Sequence, residues 1–283
     1  MRIEEIRTYG RLIKFSHTIF ALPFALAAVI LAHRETPVTA WTLFWIVMAM
    51  VGARSAAMGF NRFADLDYDR MNPRTAQRPS ATNRIDSSSL LLFVGLSSGL
   101  FLLSGAMLGW LCFALAVPVL SILFFYSYTK RFTSFCHLYL GLAIGLAPLG
   151  AWIAVTRALD PRILLMSLAL TTYIGGFDIL YACQDTEFDR KARLHSIPCR
   201  WGVRSAFRVS SFLHFLTFVF LVSIYFAFRL GKGYLLFLGL IGALLIAEHL
   251  LVGPRRLQRI RLAFFHVNSA ISVLLLGAVW FGL

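Results

Sequence analysis

Apolar runs long enough to form transmembrane helices recur along the whole chain, at 12–32, 40–60, 88–107, 109–127, 135–156, 163–183, 207–228, 234–252 and 263–282. A bilayer core of roughly 30 Å needs about 20 helical residues at 1.5 Å each. The strict alternation of barrel strands is missing, and in lipid a helix is the other way to satisfy every backbone group internally. The fold class is therefore read as all-α: a polytopic membrane protein with nine transmembrane helices. Composition agrees, because 59% of the 283 residues are hydrophobic and only 14% are charged, against about 25% charged in ordinary soluble domains. A soluble protein of this size has too little interior to hide so much apolar surface. Disorder is excluded by the abundance of large apolar side chains. Four Cys without paired spacing exclude a secreted disulfide scaffold. The start, MRIEEIRTYGRLIKFSH, carries bases but no small-residue cleavage site, so the first run is read as a retained helix and not a signal peptide.

A net charge of +14 would suggest nucleic acid in a soluble protein. Here the bases sort by loop instead. Lys and Arg accumulate in cytoplasmic loops. Of the 27 bases, 21 fall in the N-terminal segment and the loops after spans two, four, six and eight, whereas five fall on the opposite face. The alternation places the N-terminus on the cytoplasmic side of a cell inner membrane and assigns most of the basic excess to topology, with no nucleic-acid partner. The whole of 1–283 reads as one membrane-embedded domain, with 61–86 and 184–206 as its cytoplasmic active-site loops.

The acids are scarcer and more informative. Six of the 13 fall in two short clusters, Asp65, Asp67 and Asp69 in the first, Asp185, Glu187 and Asp189 in the second. The clusters lie 120 residues apart, and Asn61 and Tyr181 share that register. Both follow the cytoplasmic end of a span, with four helices between them. That spacing suggests two parallel four-helix repeats, plus one helix, around a central cavity. Acids at i and i+4 project from one helix face. Two such faces meeting would gather four carboxylates, which repel one another unless a cation is present, and hard oxygen ligands suit Mg²⁺. Arg70, Arg74, Arg78, Lys130, Arg131, Arg190 and Lys191 stand nearby to meet phosphate oxygens. The alternative, solvated loop charges that set topology, fits the bases after 193 and after 254; it does not explain a duplicated acidic spacing.

Span two holds a further charge, Arg54, spaced seven and then four residues before Asn61 and Asp65 on one helical face. It lies roughly 16 Å deeper than Asp65, where an arginine is costly and usually faces a polar cavity. Asp178, seven before Asp185 on span six, is similarly placed. Two readings stand: a buried salt bridge between the pair, or a polar pocket beneath the metal site with Arg54 available to an anionic substrate group. Ser16 and His17 lie one turn inside span one, where His17 could contact an aromatic substrate or simply pack. His266 and Asn268 suit helix–helix hydrogen bonding, and the four Cys suit packing.

At these residues the chain resembles the UbiA superfamily of intramembrane aromatic prenyltransferases. The N-x-x-x-D-x-x-x-D motif followed by R-x-x-x-R-P is present as Asn61, Asp65, Asp69, Arg74, Arg78 and Pro79. Y-x-x-x-D-x-x-x-D-x-K is present as Tyr181, Asp185, Asp189 and Lys191, and Y-x-x-x-K as Tyr126 and Lys130. One departure stands out: the usual Asn-Asp start of the first motif is Asn61-Arg62 here. The segments 14–26, 49–62 and 176–191 are similar to a bacterial branch labelled 4-hydroxybenzoate polyprenyltransferase. Part of that branch resembles the menaquinone enzyme of the futalosine route, which prenylates 1,4-dihydroxy-6-naphthoate.

The resemblance implies Mg²⁺ held by Asp65, Asp69, Asp185 and Asp189 with Asn61 assisting. It also implies a diphosphate met by Arg74, Arg78, Lys130, Arg131, Lys191 and Tyr126. The aromatic acid would lie near Arg54, Asp178, Tyr181, His17 and Ser16. The implied chemistry is departure of diphosphate from a prenyl diphosphate, attack by the electron-rich ring on the allylic cation, and loss of a proton. Two other classes compete, a secondary transporter and a different Mg²⁺-dependent lipid transferase. The first is disfavoured because the acids cluster at one face and not at the midplane. The second is disfavoured because its acids form one continuous motif.

Overall fold

The computed structural model describes Gly10, Leu12, residues 20–253 and residues 266–283. Ser16 and His17 lie outside the described residues. The described elements are all helical: α1 (Leu22–His33), α2 (Ala40–Ala64), α3 (Leu66–Met71), α4 (Ser87–Leu108), α5 (Trp110–Thr129), α6 (Cys136–Thr156), α7 (Pro161–Ala182), a 3₁₀ turn (Cys183–Asp185), α8 (Thr186–Lys191), α9 (Ile197–Trp201), α10 (Val203–Ala227), α11 (Lys232–Leu251) and α12 (Asn268–Gly282). Among the described residues seven helical segments are long and apolar enough to cross a membrane, and α1 and α12 are shorter apolar helices. Each of the nine apolar runs thus carries a helix, and the chain is an integral membrane protein. The segments 61–86 and 184–206, expected as loops, are partly helical: they hold the end of α2 and the short helices α3, α8 and α9.

The chain divides into two compact units, Met1–Thr18 with Thr39–Tyr128, and Ile19–Val38 with Thr129–Leu283. The first is organised around α2 and α4. Thr39 caps α2 by accepting from the Thr42 N–H at 3.1 Å, and Asp86 caps α4 by accepting from Ser89 N–H at 3.1 Å. Gly52 lets the two backbones close up, since a Cβ there would lie 2.8 Å from the Phe101 nitrogen. Gly109, at φ 122, makes the one-residue turn into α5 that a side chain would strain. Phe60 of α2 stacks on Phe124 of α5 with centroids 4.5 Å apart. Leu96 and Trp110 are exposed, as lipid-facing side chains should be.

The second unit is centred on α7, of whose 22 residues 14 are buried. A helix apolar on every side has no polar face to give to water and is buried among its neighbours. It packs against α6 and α10, while α1 packs against α6 and α12, and α11 against α12. The α6–α7 contact is a small-residue crossing: Cβ atoms at Gly141 and Gly145 would lie 2.2 Å from Thr171 O and 2.8 Å from Ser167 O. At one end of this unit Arg162 bridges Glu35 at 2.5 Å and also pairs with Asp160, and Arg34 donates to Phe228 O at 2.8 Å. Deeper in, Asn268 donates to Glu248 Oε1 at 3.1 Å and accepts from the Tyr173 hydroxyl at 2.8 Å. This is the helix–helix hydrogen bonding expected of Asn268. The sequence repeat is therefore one of position and local backbone, since the helix of the first run packs in the second unit.

Candidate active site

Each acidic cluster forms at a break in a long helix. In the first, α2 ends at Ala64 and α3 begins at Leu66, with Asp65 between them at φ −100, ψ 13. In the second, the 3₁₀ turn that follows α7 ends at Asp185, at φ −101, ψ 5, and α8 begins at Thr186. Residues 120 apart thus take the same backbone conformation and the same place before a six-residue helix. The break falls at the first acid of each cluster, within the segments expected as loops. The i and i+4 relation survives it, because Asp69 N–H still donates to Asp65 O at 2.7 Å. Acid-rich first turns suit helix N-termini. Asp67 and Glu187, midway in each cluster, are exposed, whereas Asp69 and Asp189 are buried.

In the first unit Asn61 is buried at the end of α2 and its Nδ2 donates to Asp65 Oδ2 at 2.8 Å. The segment after α3 folds back over Asp69. Thr75 Oγ1 donates to Asp69 O at 3.0 Å, and Arg78 Nη1 donates to both carboxylate oxygens, at 2.7 and 2.8 Å. Arg74 is half-buried beside this turn, its N–H bonded to Asn72 Oδ1 at 2.9 Å. Arg70 instead points outward, donating to Asn83 Oδ1 at 2.7 Å and pairing with Asp67 at 3.8 Å. Tyr126 is half-buried on α5, one residue before Ser127, which lies 3.5 Å from Asn61 Nδ2. Arg54 is partly buried ten residues before the end of α2.

In the second unit Asp189 is fully buried and doubly held, by Lys130 Nζ on Oδ1 at 2.7 Å and by Ser196 Oγ donating to Oδ2 at 2.9 Å. His195 N–H donates to Lys130 O at 2.7 Å, which ties the segment after α5 to the one after α8. Burial alone would lower the Lys130 ammonium; the Asp189 carboxylate, with Asp185 adding to it, outweighs this and raises it above its ordinary value. Asp185 is buried, Tyr181 and Arg131 are half-buried, and Lys191 is exposed at the end of α8. Asp178 accepts from His137 Nδ1 at 2.7 Å. Sequence reasoning missed His137 and Ser196. Ser196 carried a readable signal, since Ser-Ile-Pro is a helix N-cap followed by a first-turn proline, and it caps α9 through Cys199 N–H at 3.3 Å. His137 carried none, being one polar residue at the start of an apolar run.

A bundle of apolar helices with buried carboxylates held by bases at its helix breaks defines a membrane-embedded enzyme of charged substrates. The chain belongs to the UbiA prenyltransferase family, whose model matches residues 21–270, and it is accordingly a transferase of prenyl groups. It is 30% identical over 284 residues to a 4-hydroxybenzoate octaprenyltransferase of Vibrio vulnificus (strain CMCP6), covering 98% of each chain. It is 32% identical over 241 residues to the protein of that name from Pseudomonas aeruginosa (strain LESB58), covering 84% of this chain and 80% of the relative. Among solved structures, the apo form of a UbiA homologue from Aeropyrum pernix K1 matches with a TM-score of 0.84 at 30% identity, over 93% of this chain and 96% of that one. A UbiA homologue from Archaeoglobus fulgidus bound to GPP and Mg²⁺ shares the fold, with a TM-score of 0.66 at 17% identity over 95% and 99% of the two chains.

Proposed function

We propose that this enzyme transfers a polyprenyl group from a prenyl diphosphate to the ring of an aromatic hydroxy acid, 4-hydroxybenzoate or 1,4-dihydroxy-6-naphthoate, on the cytoplasmic side of the inner membrane, in ubiquinone or menaquinone biosynthesis. The observation that carries the reading is the duplicated half-site: Asp69 paired with Arg78 and Asp189 paired with Lys130, each four residues after an acid, Asp65 or Asp185, at the same break after a membrane helix. The residues fit a divalent cation, because each half-site offers hard carboxylate oxygens, joined in the first by the Asn61 amide. Asp65, Asp69, Asp185 and Asp189, with Asn61, would hold Mg²⁺, which supplies charge to the diphosphate as it leaves.

The chain's own bases do the remaining electrostatic work. Arg74, Arg78, Lys130 and Arg131 would bind the diphosphate oxygens and stabilise the negative charge that grows as the C–O bond breaks. Tyr126 would add a hydroxyl donor, and the exposed Lys191 would meet the incoming anion. Arg54 would take the acceptor's carboxylate, with Asp178, oriented by His137, and Tyr181 beside the acceptor ring. Ser16 and His17 are assigned to the same substrate on sequence alone. The ring attacks the allylic cation next to its hydroxyl and then loses a proton, which restores aromaticity. Siting this between apolar helices keeps water from the cation. The test is to incubate purified protein in lipid nanodiscs with Mg²⁺, a prenyl diphosphate and each acid in turn. Acceptor-dependent release of diphosphate is expected with one of them; none with either overturns the reading.

A further inference from the structure

Between Asp189 and Glu248 the chain has no acid, yet Arg200, Arg204 and Arg208 stand there four residues apart. All three are exposed, Arg200 on α9 and the other two in the first two turns of α10. Arg204 and Arg208 share a face of α10 with Phe212, Phe215, Val219 and Phe226, since at 3.6 residues per turn these positions fall within about a quarter of a turn of one another. Phe212 and Phe215 are 59% and 61% exposed. The opposite face, with Ala206, Ser210, Leu213 and Thr217, is buried. We propose that the exposed face binds an anionic phospholipid of the phosphatidylglycerol type, its phosphate between Arg204 and Arg208 and its acyl chains along the phenylalanines below.

The face has the profile of such a lipid. Phe215 lies seven residues beyond Arg208, roughly 10 Å deeper, so charge gives way to apolar surface over the depth at which a headgroup gives way to its chains. Trp201, exposed and edge-on to Phe135 at 5.8 Å, stands where α9 meets α10, and tryptophan gathers at the headgroup level of a bilayer. The corner itself is fixed, because Ile197 of α9 and Ala206 of α10 share one buried cluster. Topology would be served by these bases at any angle around the helix; it does not require them above an exposed aromatic stripe. Charge selects the lipid. Among the described residues no acid pairs with Arg200, Arg204 or Arg208. A phosphate without an ammonium group supplies that counter-charge, whereas a zwitterionic head would bring its own cation to the arginines. A second copy fits the face less well. Two chains inserted the same way around a two-fold axis along the membrane normal would set each arginine at the depth of its own copy, like charge against like.

The experiment measures phospholipid binding to the full chain in a neutral detergent by native mass spectrometry, with phosphatidylglycerol and phosphatidylcholine of the same acyl chains. Phosphatidylglycerol should bind about thirtyfold more tightly, the contribution of two bases at an anionic surface. Arg204→Gln with Arg208→Gln should remove that preference and leave phosphatidylcholine binding unchanged. Arg229→Gln with Lys232→Gln removes the same charge beyond the other end of α10 and should keep the preference. Phe212→Ala with Phe215→Ala should weaken both lipids. All of these side chains are exposed, so the variants should melt as the wild type does. Equal affinities for the two lipids in the wild type, or equal loss of the preference in both charge variants, overturns the inference. Lipid affinity that survives the loss of both phenylalanines overturns it too. Displacement of bound phosphatidylglycerol by excess prenyl thiolodiphosphate would give the face to a diphosphate ligand. Disulfide-linked dimers of Phe215→Cys in liposomes, absent from the wild type, would give it to a second copy. Either result overturns the inference.

Discussion

At the scale of the residue, the buried Asp189 is charge-paired with one base, Lys130. Removing Lys130 leaves Asp189 fully buried with the Ser196 hydroxyl still donating to it. Breaking a buried pair costs about 3–5 kcal/mol, and the partial exposure of Lys130 brings Lys130→Met below that range, to about 2–3 kcal/mol. Adding Asp189→Asn should return most of that stability in a melting experiment while turnover stays lost. A double variant that regains activity would show that Asp189 serves the fold alone. The raised Lys130 pKa also fixes a sign. The pair is fully formed below the group's ordinary value of about 10.4, and its contribution is lost only as pH rises through the raised value. A pH–rate profile should therefore show no lysine limb between neutrality and pH 9. Arg54 makes a separable test, because it lies in the body of α2 and apart from the acids. Arg54→Ala should raise the acceptor KM and leave the KM for prenyl diphosphate in place. An unmoved acceptor KM would remove its assigned role.

At the scale of the element, the helices were legible because hydropathy and length determine what a bilayer will hold, and every apolar run carries a helix. Their partners were not. The runs that became α4 and α7 are similarly apolar, yet α4 buries six of its 22 residues and α7 buries 14 of its 22. Lipid and protein interior are equally apolar, so hydrophobicity does not distinguish them. Which face of a helix meets a close neighbour depends on where small residues let backbones approach, as Gly141 and Gly145 do at α7. Gly141→Ala tests this directly. The new Cβ would meet the Thr171 carbonyl at 2.2 Å, backbone that has nowhere to go, and overpacking of this kind costs about 1–3 kcal/mol. Gly95→Ala is the control, since nothing lies within 4 Å of its Cβ. It should leave the melting temperature unchanged or raise it, alanine being the better helix former. Equal loss in both variants would show that the α6–α7 approach carries no special weight.

At the scale of the molecule, the acid spacing of 120 residues was legible before any coordinate, and so were the bases beside it. The place of Asp65 and Asp185 at the helix breaks, and the base that each inner acid takes, were not, since both depend on where a helix breaks and how the next segment folds back. That folding back has a consequence for metal dependence. A site made only of carboxylates would repel itself and would need its cation to fold, as small metal-bound domains do. Here Arg78 and Arg62 stand at Asp69 and Lys130 at Asp189, so each unit already holds the counter-charge for its own inner acid. Chelation should therefore stop catalysis without unfolding the protein. In nanodiscs, excess EDTA should abolish diphosphate release while the melting temperature, without substrate, stays where it is with Mg²⁺. Adding a non-hydrolysable prenyl diphosphate analogue should then separate the two conditions. A ligand at a hundredfold excess over its Kd stabilises by about 2.7 kcal/mol, and that gain should be much larger with Mg²⁺ than in EDTA. A melting temperature that falls on chelation alone would mean that the carboxylates depend on the metal for folding, and that the internal bases do not balance them.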